Sequence, residues 1–341
     1  MTSRHNQLHS LKVDQFARWA QSFAKAHRVE IYEVPIHASL REIMPFHTYS
    51  VHFKYKGADI WASGSGSTKE EAILKALVES CERAAGLVFF PLTDSNGNAC
   101  HFSKALAVLG AKREALERDA FFSHFLLREP FIPIKAPWAV KADNVRAAKK
   151  AKVKIEFFLM NCADSSLKAV LCAASGWSKN GKAMALGAAC DATVTSASRK
   201  SYQEAMKNFN GIRLGVVKPM SESERLRRLR RQFGFGPEAH LQLGADEKFV
   251  REFSKNYLRF KGPRSKKKLG FTVQWKIQSH DLRGTDFQDS GLCLVRAESP
   301  DLQSTFWSYP SPHRVNFPRL ARWSKNLRVK DLPWDKLHLF P

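Results

Sequence analysis

The chain has 341 residues, enough for one large domain or two ordinary ones, and 55 Lys and Arg against 32 Asp and Glu give it a formal net charge of +23. Its 44% hydrophobic and 11% aromatic content exclude a disordered polycation, and the absence of a long apolar run argues against a membrane-spanning helix. The six cysteines are scattered without a CxxC pair and the N-terminus lacks a signal-peptide pattern, so we expect a reduced, cytoplasmic protein. The positive charge is compatible with a polyanionic partner such as nucleic acid, or with a general compositional bias.

The N-terminal part of the chain predicts a helix followed by strands. Apolar residues recur with helical period over residues 12–28, from Val13 to Phe23. Residues 29–34 and 49–55 are rich in β-formers, and Lys56-Gly57 predicts a hairpin turn. We therefore expect an antiparallel hairpin after the first helix.

Residues 64–86, GSGSTKEEAILKALVESCERAAG, predict a glycine-rich turn that leads into a helix. Ser67 or Thr68 can cap this helix, because each has a glutamate three residues later, as in a capping box. A stripe from Ile73 to Ala84 predicts the buried face, and Gly86 predicts the helix end.

The remaining chain mixes both element types, which indicates an α/β (mixed α+β) class with mixed sheets packed against helices. The predicted helices cover residues 105–125, 192–209 and 222–233. The first of them has helical period through Leu106, Leu109, Arg113, Leu116 and Ala120. The predicted strands cover residues 153–160, 168–175, 271–277 and 291–298.

Two helices carry the same acidic pattern, which indicates an internal pseudo-repeat. The first contains Glu79, Glu82 and Arg83, and the second contains Glu114, Glu117 and Arg118. Glutamates three residues apart lie on one helix face, and the arginine four residues after the first of them can pair with it. If the two helices are adjacent, their four carboxylates form an oxygen-rich cage suited to Mg²⁺ with its phosphates.

A single ExxER pattern has a simpler explanation, since surface helices often carry such pairs. In the second helix, however, Phe121 lies four residues after Glu117, which predicts a partly buried acidic face. Carboxylates near apolar surface require a cation or a proton. The pattern therefore favours a site over a solvated face.

At this point the sequence resembles the YcaO family. GSGSTKEEAILKALVESCER resembles the glycine-rich turn and ALxExxER helix of that family, and SNGNACHFSKALAVLGAKREALERDAFF resembles its SNGLAAG…ALLEVIERDA segment. GAACDATVTSASRKSYQEAM resembles its third helical segment, and GLCLVRAESPDLQ with NFPRL resembles its late strand, P-G-L-Q turn and N-P-R-L. The ending LHLFP resembles PHPFP. The resemblance implies residues 30–341 as a single YcaO-like domain with a tail at 329–341, after an N-terminal helical segment at 1–29.

The resemblance implies an ATP- and Mg²⁺-dependent enzyme that phosphorylates a peptide backbone amide and forms thiazoline or oxazoline rings. A thioamide-forming enzyme with a TfuA-type partner, a catalytically degenerate scaffold, and a basic RNA- or ribosome-associated protein are the alternatives. By motif correspondence, the metal ligands are Glu79, Glu82, Glu114 and Glu117, and Arg83, Arg118 and Glu204 join them in binding the nucleotide. The carboxylate of Pro341 corresponds to the base that azoline-forming members place in the active site.

Four positions depart from the family pattern. Ser65 stands where members have a lysine, Lys75 where they have a small residue or serine, and Phe102 and Leu106 where they have an asparagine and a metal-binding glutamate. These departures are what the scaffold alternative rests on. In the tail, Leu337 and Leu339 replace prolines.

The implied partners are a precursor peptide and a separate leader-binding or E1-like protein, and a homodimer is left open. Two basic clusters, around residues 225–231 and 266–268, predict solvated faces or sites that recruit an acidic peptide. No nucleic-acid-binding motif accompanies them, so nucleic acid is not the partner we expect. Cys81, between Glu79 and Glu82, is expected to be a small helix-face residue and not a reactive thiol.

Overall fold

The computed structural model describes residues 2–89, 97–135, 142–221, 223–224, 227, 237–259, 272–305, 310–324, 327–333 and 338. By their backbone contacts they form two compact units. Unit 1 comprises residues 1–35, 45–115 and 275–299, and unit 2 comprises residues 36–44, 116–274 and 300–341. The division of the chain at residue 29 and a tail starting at residue 329 remain predictions.

Helices and strands are mixed along the described chain, as the predicted elements indicate. The helices are α1 Thr2–His27, α2 Lys69–Phe89, α3 Lys104–Leu127, α4 Ala142–Lys150, α5 Val194–Leu214, α6 Pro237–Gly244, α7 Glu247–Phe253 and α8 Phe317–Trp323. The strands are β1 Glu30–Glu33, β2 His47–Tyr55, β3 Ala58–Gly66, β4 Asn98–His101, β5 Ile132–Ile134, β6 Val153–Met160, β7 Lys168–Ser178, β8 Gly181–Asp191, β9 Lys276–His280 and β10 Cys293–Glu298.

Unit 1 contains two three-stranded sheets, in the orders β1-β2-β3 and β4-β10-β9. The predicted hairpin is confirmed: β2 and β3 pair antiparallel, and positive φ angles of 48° at Lys56 and 83° at Gly57 close the turn. Helix α1 buries Phe16 and Phe23 in the core of unit 1, together with side chains of β2 and α2. The Trp19 indole donates a hydrogen bond to the Asp286 carbonyl (2.8 Å).

Helix α2 begins with the predicted capping box at the second of its two sites. The Glu71 backbone N–H donates to the Thr68 hydroxyl (3.2 Å), and the Glu71 carboxylate accepts from the Ser67 backbone N–H (2.8 Å). The predicted helix end at Gly86 is wrong, because the helix continues to Phe89.

The predicted turn at GSGS is also wrong, because residues 64–66 belong to β3. Gly64 lies under the backbone of α2, where a Cβ would stand 2.3 Å from the Ala72 carbonyl oxygen and from the Ala76 nitrogen. These glycines therefore allow a helix to approach a strand closely, and they do not form a loop.

Unit 2 is built around the antiparallel sheet β5-β6-β7-β8. The predicted strands 153–160 and 168–175 are neighbours in it, and β8 was missed because its run of alanines lacks β-branched residues. Helix α5 follows the β7–β8 hairpin as α2 follows the β2–β3 hairpin. Gly187 has the same role as Gly64, since a Cβ there would stand 2.3 Å from the Ser201 carbonyl oxygen.

Four further predictions need correction or lie outside the described residues. Leu106 and Leu109 are exposed, because α3 turns its alanines, Ala107 and Ala111, toward the core. The predicted strand at 271–277 is β9, which begins only at Lys276. The predicted helix at 222–233 lies mostly outside the described residues. The charged segment at 261–268, which contains the basic cluster at 266–268, lies wholly outside them. No helix among the described residues is both long and apolar enough to cross a bilayer.

Candidate functional site

The predicted site residues lie on three helices. Glu79, Glu82 and Arg83 project from α2, Glu114, Glu117 and Arg118 from α3, and Glu204 from α5. Helix α3 passes from unit 1 to unit 2 after Ala115, so Glu79, Glu82, Arg83 and Glu114 belong to unit 1 and the others to unit 2. Pro341 lies outside the described residues.

Glu82 is the centre of an acidic cluster in unit 1. One of its carboxylate oxygens accepts a hydrogen bond from the Cys100 backbone N–H (3.0 Å), which fixes the side chain between α2 and β4. Burial raises the pKa of Glu82 well above its usual range, and the negative charges of Glu114 and Glu79 raise it further. The Cys100 N–H and the Arg83 charge oppose this shift without cancelling it. The side chain of Glu82 is half-buried.

Glu79 and Arg83 form the predicted pair, with 2.7 Å between carboxylate oxygen and guanidinium nitrogen. Arg83 also donates to the Trp61 carbonyl (2.7 Å), at the outer edge of β3. One turn earlier on α2, Lys75 pairs with Glu71 (2.6 Å) and donates to the Ser65 carbonyl (3.1 Å). Because β3 is the last strand of its sheet, these cations satisfy backbone carbonyls that would otherwise need water.

The acidic residues of α3 are partly buried, as the aromatic residue Phe121 predicts. Glu114, Glu117 and Arg118 each have intermediate exposure, whereas Phe121 is fully buried. Glu114 is the α3 residue whose charge acts on Glu82 within unit 1. The structure therefore brings together Glu79, Glu82 and Glu114.

Glu204 has a defined structural role in unit 2. Its carboxylate accepts a hydrogen bond from the Ala188 backbone N–H of β8 (3.0 Å). Its negative charge and burial together raise the pKa of the nearby Cys172 thiol, with burial the larger cause. A helix glutamate thus binds a strand N–H in each unit, Glu82 in unit 1 and Glu204 in unit 2.

A buried ion pair that the sequence did not predict follows directly after Arg118. Asp119 accepts two hydrogen bonds from the Arg319 guanidinium, at 2.8 and 2.6 Å, and both side chains are fully buried. The Gln303 backbone N–H donates to the same carboxylate (2.8 Å). The signal was present in the sequence, because Asp119 ends the ERD run, Gln303 ends PDLQ and Arg319 lies in NFPRL.

Comparison with known proteins decides the family. A sequence model described as "YcaO cyclodehydratase, ATP- and Mg²⁺-binding" matches residues 86–279, more than half of the chain. The chain belongs to the YcaO family. No curated protein matches this YcaO chain at a significant level.

Solved structures share the fold of this YcaO protein at low sequence identity. The YcaO from Methanopyrus kandleri bound with AMPPCP and Mg²⁺ has a TM-score of 0.51 and 16% identity, covering 79% of this chain and 84% of that one. A chain of the E. coli microcin synthetase McbBCD complex with pro-MccB17 bound has a TM-score of 0.57 and 13% identity, covering 91% and 96%. A heterocyclase in complex with substrate and cofactor has a TM-score of 0.60 and 12% identity, covering 89% of this chain but 54% of its own. The predicted family and the predicted mixed α/β fold are thereby confirmed, as are ATP and Mg²⁺ as the ligands of the family.

The acidic cluster of this YcaO protein fits a hard divalent cation. Carboxylate oxygens are the donors that Mg²⁺ prefers, and Mg²⁺ commonly takes only one or two carboxylates together with water and phosphate oxygens. Among the described residues, no group of three or more His, Cys, Asp or Glu side chains is arranged to hold a metal ion, so a cation bound here would take most of its ligands from water and phosphate. Burial first, and then the negative charges of Glu114 and Glu79, raise the pKa of Glu82, and a bound cation would favour the ionised carboxylate against both.

The four departures from the family pattern have structural consequences in this YcaO protein. Phe102 is buried beside Phe16, with 5.4 Å between ring centroids, so its side chain belongs to the core. Leu106 is 49% exposed and brings no ligand oxygen. Lys75, as described above, brings its ammonium to the Ser65 carbonyl, so a cation lies beside position 65 although its residue is serine.

The remaining sequence candidates have structural explanations. Cys81 is buried and its thiol pKa is raised by burial, so it is not a reactive thiolate. His338, in the LHLFP ending, is fully buried, and its ring stacks on that of His240 with 4.1 Å between the centroids. The carbonyl oxygen of His338 accepts a hydrogen bond from His240 Nδ1 (2.6 Å). The last described residue of the tail is thus anchored in the core of unit 2.

Proposed function

We propose that the protein uses ATP and Mg²⁺ to activate a backbone amide of a ribosomally made peptide, and that it forms thiazoline or oxazoline rings. The observation that carries the proposal is the convergence of Glu79, Glu82 and Glu114 in a chain of the YcaO family. Its precursor peptide and a separate leader-binding or E1-like partner protein belong to the same proposal. Solved relatives in complex with a substrate or with pro-MccB17 support it by fold.

The chemistry requires a poor leaving group to be replaced by a good one. A Cys, Ser or Thr side chain of the peptide loses its S–H or O–H proton and bonds to the preceding carbonyl carbon. The carbonyl oxygen would accept the phosphoryl group of ATP, with release of ADP, and leave as phosphate, and loss of the amide proton gives the C=N bond. Bound Mg²⁺ and ATP supply charge neutralisation and the phosphoryl group.

The protein's own residues hold and orient the reactants in this proposal. In unit 1, Glu79, Glu82 and Glu114 would hold the cation, with Arg83 beside them for the nucleotide. Glu117 as a metal ligand, and Arg118 and Glu204 as nucleotide-binding residues, belong to unit 2 and rest on the family motif. Partial burial of the carboxylates restricts water and strengthens their interaction with a cation. The C-terminal carboxylate of Pro341 is the proposed base for the amide proton.

A second candidate, a scaffold with a degenerate ATP site, is favoured by one observation. Phe102 is committed to the core and Leu106 is exposed, so the two family ligands expected there are replaced by side chains that cannot bind a cation. A thioamide product would replace the amide oxygen by sulfur without closing a ring and would raise the peptide mass. Azoline formation closes a ring with loss of water and lowers the mass, so product mass separates the two.

Calorimetric titration with Mg·ATP tests the proposal. We expect Glu82→Gln and Glu114→Gln each to weaken binding roughly tenfold or more, because each removes a charge that faces the cation. Glu70→Gln is the matched control, since it removes an exposed carboxylate from the first turn of the same helix and should bind as the wild type does.

Two results would contradict the proposal at different levels. Wild-type-like binding in both cluster variants removes the site assignment, and no Mg·ATP binding by the wild type favours the scaffold. For the tail, peptide cyclisation that is unchanged after deletion of Pro341 excludes its carboxylate as the base.

A further inference from the structure

Unit 2 carries a basic surface that exposes apolar side chains, at the tip of the β7–β8 hairpin and the C-terminal end of α5. Trp177 is 59% exposed at the end of β7, and Val216, just after α5, is 77% exposed. Large apolar side chains exposed to this degree in the midst of charge are typical of contact surfaces.

The hairpin tip and the end of α5 are in direct contact. Gly215 ends α5 with a φ of 77°, and a Cβ built on it would stand 2.4 Å from the Lys179 ammonium nitrogen. Lys179 therefore lies over Gly215, next to Val216. On the other strand of the hairpin, Lys182 pairs with Trp177 across the ladder.

Further cations surround these residues. Gly176, which precedes Trp177, lies against the Arg213 guanidinium, and the backbone carbonyl of Lys152 lies on the same side, so the main chain of this exposed lysine is next to the hairpin. Lys218 is exposed two residues after Val216. We call this set the hairpin-tip surface; it consists of Lys152, Trp177, Lys179, Lys182, Arg213, Val216 and Lys218.

The positive charge of this surface is not balanced locally. Across the described part of the chain, no acidic side chain forms an ion pair with Lys152, Lys179, Lys182 or Lys218. The acid beside the hairpin, Glu247, accepts from the Lys182 backbone N–H and is paired with Arg251 through a 3.1 Å hydrogen bond. The charge of Glu247 also acts on Lys182, so Lys152, Lys179 and Lys218 are the exposed lysines of this surface that have no acidic partner among the described residues.

We propose that the hairpin-tip surface docks an acidic protein segment that carries apolar side chains. The cations require negative charge, and Trp177 and Val216 gain free energy only from apolar side chains that cover them. A second copy of this chain is disfavoured, because a two-fold contact through this surface would place like charges together. RNA is disfavoured too, since single-strand binding relies on several aromatic residues that stack bases, whereas this surface has one tryptophan and an aliphatic residue.

This docking is independent of the proposed ATP chemistry, since none of its residues belongs to the acidic cluster. The small set of contacts predicts a weak, salt-sensitive interaction.

The test is fluorescence anisotropy with a labelled synthetic peptide of alternating Glu and Leu. We expect the double variant Lys179→Glu/Lys218→Glu to bind about tenfold more weakly, which corresponds to about 1.4 kcal/mol. The control Lys54→Glu/Lys255→Glu changes two exposed lysines elsewhere by the same total charge and should bind as the wild type does. Trp177→Ala should weaken binding, and Trp177→Phe should retain most of it.

Binding of two alternative ligands, RNA and phospholipid vesicles, and the affinity for Mg·ATP define the opposing outcomes. Equal loss of peptide affinity in the two double variants would contradict the proposal, because only net charge would then matter. The proposal would also be replaced if a single-stranded RNA oligomer or anionic phospholipid vesicles bound more tightly than the peptide and lost that binding in Lys179→Glu/Lys218→Glu. Circular dichroism establishes that each variant is folded. Mg·ATP affinity should be unchanged in Lys179→Glu/Lys218→Glu, so failure of this proposal and failure of the ATP proposal are distinguishable.

Discussion

At the residue scale, Glu82 is held in a position that is unfavourable for a carboxylate without a cation. Its hydrogen bond to the Cys100 N–H fixes it beside the negative charges of Glu114 and Glu79, and burial removes part of its hydration. Such an arrangement favours protonation or cation binding, so the ionised carboxylate should lower the stability of the free protein.

Glu82→Gln should therefore stabilise the free protein while it weakens nucleotide binding. A carboxyl group with a raised pKa in the folded state binds more protons there than in the unfolded chain, so stability is highest at low pH and falls as pH rises through the folded-state pKa. Glutamine removes this decline, because it carries no titrating proton.

The measurement is urea unfolding at several pH values with a chelator present, for wild type, Glu82→Gln and the control Glu70→Gln. A wild type whose stability shows no greater decline with pH than that of Glu82→Gln would contradict the assignment of a strained carboxylate.

The second residue-scale feature is the buried pair of Asp119 and Arg319. Removing one member leaves the other charge buried without its partner, which costs about 3–5 kcal/mol. Asp119→Ala should therefore lower the free energy of unfolding by roughly that amount, as measured in urea. Asp119→Asn retains a hydrogen-bond acceptor and should cost less. A loss below about 1 kcal/mol for Asp119→Ala would mean that the pair contributes little beyond the packing around it.

At the element scale, each unit contains a hairpin, a strand glycine and a helix that packs on that glycine. Gly64 and Gly187 let α2 and α5 approach β3 and β8 so closely that a Cβ would overlap helix backbone atoms. Overlap with backbone is expensive, because neither element can move away without losing its own core contacts. The acidic residues of α2 depend on this approach, since it sets where the helix lies on the sheet.

Gly64→Ala and Gly86→Ala should have opposite effects on stability. The first introduces a Cβ 2.3 Å from two backbone atoms of α2 and should destabilise unit 1 by about 1–3 kcal/mol. The second lies inside α2, where a Cβ would contact only the Asn98 amide at 3.9 Å, and should stabilise it by about 0.5–1 kcal/mol. Thermal unfolding followed by circular dichroism measures both, and a Gly64→Ala variant as stable as the wild type would refute the close approach.

At the scale of the whole molecule, a net charge of +23 coexists with a local cluster of carboxylates. The positive field attracts ATP and acidic peptides, while the cluster itself requires a cation before phosphates can approach. Nucleotide binding should consequently depend on Mg²⁺ in spite of the basic composition.

Mg·ATP at a hundred times its dissociation constant should stabilise the folded protein by about 2.7 kcal/mol, since it binds the folded state only. Thermal unfolding in the presence of ATP with Mg²⁺, and of ATP with a chelator, measures the effect. Equal stabilisation in both conditions would show that the nucleotide is bound through positive charge and not through the cation.

The sequence by itself determined the features that depend on local pattern. Helical periodicity predicted α1, α3 and α5, the Lys56-Gly57 turn predicted the first hairpin, and the two ExxER runs, the ERD segment and the late motifs predicted the family. These signals are strong because side-chain spacing and turn chemistry act within a few residues.

Tertiary structure alone decided the features that depend on residues distant in the chain. It turned the glycines at 64 and 66 from a turn into a helix contact, half-buried Glu82 against β4, exposed Leu106, and paired Asp119 with Arg319 across 200 positions. Burial and charge neighbours are set by which elements pack together, and the free energy of that packing is shared among many residues. No local sequence pattern specifies which distant elements pack together. The raised pKa of Glu82 and the hairpin-tip surface therefore follow only from the folded chain.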